Sequence, residues 1–151
     1  ATLFHFGVMT SSMHNAFMRF TCGRLKSDFR YSNTIVYNNY PWPGFAGEPL
    51  NDKHRTAIEQ AAQCVLDARA QFASSSLADL YDPLTMPPAL LKAHQKLDTT
   101  VDAAYQPSGG KKTYASDAER VAFLFELYQR ITSLLPAPAV KKKRKSKATV
   151  S

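Results

Sequence analysis

The sequence lacks any apolar run approaching the ~20 residues that a membrane-spanning helix requires, so we predict no membrane partner. Its beginning, ATLFHFGVMT, also lacks the basic region and the cleavage pattern of a signal peptide. Only two cysteines occur, Cys22 and Cys64, and both lie in stretches with a helical pattern. We therefore predict two reduced, buried thiols and a cytoplasmic location.

Motifs that carry chemistry are absent as well. The four histidines are scattered, without the spacing of a metal site, so no metal site is predicted. The stretch GGKKT (109–113) resembles the end of a phosphate-binding loop, but the upstream glycine that this pattern requires is absent. No serine or cysteine lies in a nucleophile elbow. We predict no catalytic residue in this chain.

The net charge of +7 is unevenly distributed along the 151 residues. The run KKKRKSK (141–147) holds six basic residues and no acid, and the rest of the chain has a net charge of +1. Within that rest, residues 1–47 carry +3 and residues 48–135 carry −2. Residues 136–151 have no apolar period, which predicts a disordered basic tail. Such a tail is either a solvated segment or a phosphate-binding arm.

The chain length and the hydrophobic pattern predict an α+β, mostly helical fold, in which a short β-α-β unit packs against a small helical bundle. Residues 3–9 and 34–37 are rich in aromatic and branched side chains, which predicts two strands. Between them, a helix capped by Ser11 or Ser12 is predicted to end near Gly23. The basic segment that follows is predicted to be the loop before the second strand.

Three longer helices are predicted in the second part of the chain. The first follows a cap at Asn51, the second begins at Pro87 or Pro88, and the third follows a capping box at Ser116. Ser76 is predicted to cap a short helical turn, and His94 to be a hydrogen-bonded core residue. Three helices with short loops are typical of a small bundle.

The run FGVMTSSMHNAFMRFTCGRLKSDFRYSNTIVYNNYPWP resembles the end of the target-recognition region in large single-chain bacterial DNA methyltransferases of the type IIG/IIL restriction–modification family. The similarity continues through IEQAAQCVLDARAQF, SLADLYDPLTMPPALLKAHQKLDTTVDAAY and SDAERVAFLFELYQRITSL, and covers residues 4–135. It implies the end of a DNA target-recognition domain at 1–47, a C-terminal helical domain at 48–135 and the basic tail at 136–151.

The resemblance also implies a function and its partners. The parent protein is expected to transfer a methyl group from S-adenosylmethionine to adenine N6 at a specific site in double-stranded DNA. The cofactor motif and the catalytic Asn-Pro-Pro-Tyr or Phe motif belong to an upstream methyltransferase domain, with or without a nuclease, and neither motif occurs here. Because the chain begins at Ala1 within an apolar segment, we expect it to be part of a longer polypeptide. The alternatives are a free-standing nucleic-acid-binding adaptor and a helical interaction module.

In the family that this chain resembles, the segment GRLKSDFRYS varies with the base that is recognised. Position by position, this implies that Lys26, Asp28 and Arg30 read bases. Alternate residues of an extended segment face the same way, and lysine and aspartate together match the major-groove edges of one G·C pair. Arg19 and Arg24 are expected to contact phosphates, which position the protein without reading sequence. The competing interpretation of Lys26, Asp28 and Arg30 is a row of surface ion pairs that contributes little.

Overall fold

The computed structural model describes residues 2–25, 28–30, 36–44 and 49–134. Within these residues the chain forms six α-helices and one two-stranded antiparallel sheet. The elements in chain order are α1 (Leu3–Thr10), α2 (Ser12–Thr21), β1 (Gly23–Leu25), β2 (Asp28–Arg30), α3 (Asp52–Ala70), α4 (Leu77–Leu80), α5 (Pro88–Ala104) and α6 (Asp117–Leu134). A short 3-10 helix, Gln106–Ser108, follows α5.

The predicted α+β class with its β-α-β unit is wrong, because the regular elements among the described residues are helices and one small hairpin. Residues 3–9, predicted as a strand, belong to α1, whose residues Phe4, Gly7 and Val8 are all buried. Val36, from the second predicted strand, lies in a turn where its carbonyl accepts a hydrogen bond from the Tyr40 N–H at 3.0 Å. Residues 34 and 35 lie outside the described part. The two strands found among the described residues pair within the segment predicted to be a loop.

Side-chain caps fix the beginnings of α2, α3 and α4, as the sequence predicts. The Ser11 hydroxyl accepts from the His14 N–H at 3.4 Å at the start of α2. The Asn51 side chain accepts from the Lys53 N–H at 2.9 Å at the start of α3, and Ser76 caps α4. Each cap pairs an N–H group that the first helical turn leaves without a partner. These predicted caps are confirmed.

A hydrophobic core joins the first helices to the later ones. Helix α1 packs on α3, α3 packs on α5, and α2 packs on both α5 and α6. Gly7 permits the close approach of α1 to α3, because a Cβ atom there would lie 2.8 Å from Ile58 Cγ2. The fully buried large side chains of this core include Val8, Met13, Ile58, Val65, Leu90, Leu97, Val101, Tyr105, Leu124 and Leu127.

Polar contacts tie the two halves of the chain together. Asp98 on α5 accepts two hydrogen bonds from Ser12, one from its N–H and one from its hydroxyl, both at 2.7 Å. The Tyr105 hydroxyl oxygen lies 2.8 Å from the Tyr40 hydroxyl and 2.8 Å from the Pro41 carbonyl oxygen, within hydrogen-bonding distance of both. Burial raises the pKa of the Tyr105 phenol well above its usual range, so this group stays protonated. Because Ser12 is the first residue of α2 and bonds to Asp98, this end of α2 is fixed to α5.

Three further predictions can be compared with the described residues. Both cysteines are reduced, but Cys22 is half-buried and Cys64 is exposed, so the prediction of two buried thiols is wrong. No helix within the described ranges has the length and apolar character needed to cross a membrane. The basic tail, 136–151, lies outside the described residues, and its disorder stays a prediction.

Candidate nucleic-acid interface

The segment predicted to read bases forms a hairpin directly after α2. The register pairs Gly23 with Arg30, Arg24 with Phe29, and Leu25 with Asp28. Opposite positions of an antiparallel pair share a face, and successive positions along a strand alternate between faces. Positions 28 and 30 therefore lie on one face of the hairpin, and position 24 lies on the other. Lys26 lies outside the described residues.

Arg19, a predicted phosphate contact, lies in the last turn of α2 and is paired with an acid. Its Nη1 atom lies 3.2 Å from Asp117 Oδ2, and the two side chains are 58% and 49% exposed. The other oxygen of Asp117 lies 3.6 Å from Arg120 Nη1. Asp117 is also the first residue of α6, where the helix dipole favours a carboxylate. Arg19 is thus near the hairpin, but its guanidinium already contacts one anion.

A polar groove of about 450 Å³ runs along α2 beside Arg19. On its opposite side the Nε of Arg69 donates to the Tyr81 hydroxyl at 2.7 Å, and the same hydroxyl lies 2.7 Å from His94 Nε2. The predicted hydrogen bonding of His94 is therefore confirmed, although the residue is only half-buried. The groove is lined by Met9, Thr10, Ser12, Asn15, Arg19, Arg69, Tyr81, Met86, His94 and Asp98.

The charged residues that line this groove are two arginines, Arg19 and Arg69, and one acid, Asp98. Burial, and then the neighbouring Arg69 charge, lower the pKa of His94, while the Asp98 carboxylate opposes this shift. His94 is therefore neutral at pH 7 and adds no positive charge. Both oxygens of Asp98 accept from Ser12, so this carboxylate faces α2. The two arginines remain the prominent cations of the groove.

A second, larger cleft of about 960 Å³ lies between α1, residues 37–44 and α6, and aromatic side chains line much of it. The ring of Trp42 lies 5.5 Å from that of His5 and 5.3 Å from that of Tyr37. Behind this layer His14 is buried, and burial lowers its pKa to about 4. Within the described residues, no cluster of three or more histidine, cysteine, aspartate or glutamate side chains is suited to hold a metal ion.

Comparison with protein families identifies the chain. Residues 50–136 match the family model described as "MmeI, C-terminal domain", and residues 1–44 match "MmeI, target recognition domain". The chain belongs to the MmeI family. The predicted resemblance to single-chain restriction–modification enzymes of type IIG/IIL is therefore confirmed.

Two relatives of this MmeI-family chain have much longer sequences. The chain is 39% identical over 132 residues to DNA methyltransferase A of Bacillus subtilis (strain 168), which covers 87% of the chain and 14% of that protein. It is 49% identical, with a TM-score of 0.79, to the type IIL restriction–modification enzyme MmeI, whose structure was solved in complex with DNA. That match covers 89% of the chain and 17% of the MmeI chain. The chain thus spans less than a fifth of either relative.

The two family matches divide the candidate interface. The hairpin and Arg19 fall within the target-recognition match, whereas Arg69 and Tyr81 fall within the C-terminal match. The structure brings Arg19 and Arg69 to the same groove. Sequence reasoning missed Arg69, because its contacts are with Phe6 on α1 and with Tyr81, 12 residues further along the chain. No local pattern around Arg69 signals these contacts.

Proposed function

We propose that this chain is the DNA-specificity and scaffold part of a type IIL restriction–modification enzyme. The observation that supports this most directly is the match of residues 1–44 to the MmeI target recognition domain, in a chain 49% identical to an MmeI whose structure was solved with DNA. The partner is double-stranded DNA, and an upstream methyltransferase domain of the same cytoplasmic polypeptide binds S-adenosylmethionine and methylates adenine N6.

The division of the chain at residue 47 is part of this proposal. Residues 1–47 end the recognition domain, residues 48–135 form the helical domain, and residues 136–151 form the tail. The core that α1 and α2 share with α3, α5 and α6 supports a scaffold role for the helical domain. Because Ser12 and Asp98 fix the beginning of α2, its other end holds the hairpin at a defined place.

Within this proposal Lys26, Asp28 and Arg30 read bases, and Arg19 and Arg24 contact phosphates. The hairpin register supports the assignment, since positions 28 and 30 share a face and position 24 lies on the other. A lysine donates to guanine O6 or N7, and an aspartate accepts from cytosine N4. Lys26 and Asp28 then read the two bases of one G·C pair, while Arg30 contacts a neighbouring base or phosphate.

The test exchanges the two residues, Lys26→Asp with Asp28→Lys, in the complete polypeptide, and maps the methylated motif by sequencing. We expect the motif to change at one base pair, because the donor and the acceptor trade places while the net charge is kept. The matched control reverses the ion pair of the helical domain, Lys111→Glu with Glu119→Lys, which should leave the motif unchanged. A methylated motif that survives the exchange at positions 26 and 28 refutes the assignment.

Deleting residues 136–151 separates this proposal from a tail-driven adaptor. Binding through the hairpin persists without the tail, and it responds to Lys26→Ala. If DNA binding disappears when the tail is deleted and is unchanged in Lys26→Ala, then the adaptor is supported instead. Both titrations need a stated salt concentration, because phosphate contacts make the affinity fall steeply as salt rises.

A further inference from the structure

We propose that Arg69 binds a backbone phosphate of the DNA in the polar groove beside α2. The interface would thereby extend from the hairpin onto the helical domain. This inference rests on the proposed function, and it adds a ligand group and a site to it. Three features of the groove support it: a guanidinium held in place, the lack of an acid that pairs with it, and a second arginine on the same groove.

The guanidinium of Arg69 is held in one orientation by its surroundings. Its central carbon lies 5.6 Å from the centre of the Phe6 ring and 5.1 Å from that of the Tyr81 ring. Its Nε donates to the Tyr81 hydroxyl at 2.7 Å. An arginine fixed in this way loses little side-chain entropy on binding an anion, and its planar fork suits the oxygens of a phosphate.

Arg69 has no acidic partner among the residues that the structure describes. The ion pairs found there use Arg19, Lys111 and Arg120 as cations. The acid among the residues that line the groove is Asp98, and both of its oxygens accept hydrogen bonds from Ser12. The Nη atoms of Arg69 likewise make no hydrogen bond to a described residue. A positioned cation that forms no ion pair favours the binding of an external anion.

The groove also leads from Arg69 towards the hairpin. Ser12, Asn15 and Arg19 line it at spacings of three and four residues, so they lie along one face of α2. At 1.5 Å per residue this face spans roughly 10 Å, and the hairpin begins one turn beyond Arg19. A DNA strand whose bases meet the hairpin can therefore place its phosphates along α2, near Arg19 and then near Arg69.

The test compares Arg69→Gln with Arg55→Gln in the complete polypeptide. Arg55 is a close match, because it lies on the same helix and stacks on another phenylalanine of α1, at 4.7 Å from the Phe4 ring. It lies 14 residues earlier on α3, roughly 21 Å away, and lines the other cleft. The affinity for DNA, with and without the recognised motif, is measured at salt concentrations from about 50 to about 200 mM. Over this range phosphate contacts dominate the change in affinity.

We expect Arg69→Gln to weaken both kinds of DNA binding about tenfold and to reduce the log–log salt slope by about 0.9. Arg55→Gln should leave both quantities unchanged, and Arg69→Lys should restore most of the slope because it keeps the charge. The salt slope also distinguishes a lost phosphate contact from a folding defect, which reduces the active fraction without changing the slope. Equal effects of the two glutamine variants would overturn the inference.

Two further outcomes distinguish a failure of the proposed function from a failure of the present inference. If the wild-type polypeptide binds all DNA sequences alike, then the proposed function fails, whatever Arg69 does. If binding is sequence-specific and Arg69→Gln leaves it unchanged, then only the present inference fails. Calorimetry with inorganic phosphate provides the last comparison. Phosphate that binds the wild type and not Arg69→Gln, together with an unchanged DNA salt slope, would make the ligand a small anion and overturn the assignment to DNA.

Discussion

His14 makes the stability of this chain sensitive to acid. The side chain is 2% exposed, and its ring lies 4.5 Å from that of Tyr40 and 6.4 Å from that of Trp42. Burial disfavours the charged imidazolium and lowers the pKa of His14 from 6.5 to about 4. Between these two values the unfolded chain binds a proton that the folded chain does not bind.

The sign and the size of the effect follow from this difference in proton binding. The contribution of His14 to stability is fully present above pH 6.5 and decreases as the pH falls towards 4. From pH 7.5 to pH 4.5, the loss in the free energy of unfolding amounts to about 2.5 kcal/mol. This is a large fraction of the stability of a small domain.

The assay is urea unfolding of wild type and of His14→Gln at several pH values between 4.5 and 7.5. Glutamine does not titrate, so the stability of the variant should fall by about 2.5 kcal/mol less than that of the wild type. Val8→Ala is the control, since it removes buried methyl groups and no titrating group. It should lower stability equally at every pH. Parallel curves for wild type and His14→Gln would refute the reasoning.

Two further substitutions test contacts in the fold and at the interface. Gly7→Ala places a Cβ atom 2.8 Å from Ile58 Cγ2, so we expect the free energy of unfolding to fall by about 1–3 kcal/mol. Thermal unfolding detects this fall, and a Tm at or above that of wild type would contradict it. Asp117→Asn removes the carboxylate that pairs with Arg19, so we expect DNA affinity to rise a few-fold in binding titrations. Glu126→Gln removes the same charge from the exposed side of α6, and an equal rise in that variant would contradict a specific role for Asp117.

The helices with polar boundaries could be predicted from the sequence, because caps are local signals. Ser11, Asn51 and Ser76 lie next to the groups that they cap, and all three were identified. Helix α1 was not predicted, since LFHFGVMT is mostly apolar and a short apolar run has no period that separates a helix from a strand. Its packing against α3, with Gly7 on Ile58, decides its conformation. That contact joins residues some fifty positions apart.

The candidate site, like the fold, could be predicted from the sequence only where its signals are local. The basic residues near the hairpin were visible in the sequence, but the hairpin was missed, because its strands have only three residues each. No pattern in the sequence indicated a role for Arg69. Its partners Phe6 and Tyr81 come from elements that meet only in the folded chain. Local chemistry could thus be inferred, whereas the assembly of the groove depends on tertiary packing.

The hairpin has an evolutionary consequence. Its strands are joined by main-chain hydrogen bonds over the pairs from Gly23–Arg30 to Leu25–Asp28. Main-chain groups are the same in every amino acid except proline, so this pairing places few demands on which side chains occupy the six positions. Helix α2, fixed at Ser12, supports the hairpin from outside those positions. Such a segment can diversify rapidly between lineages while the helices behind it stay under strict selection for packing.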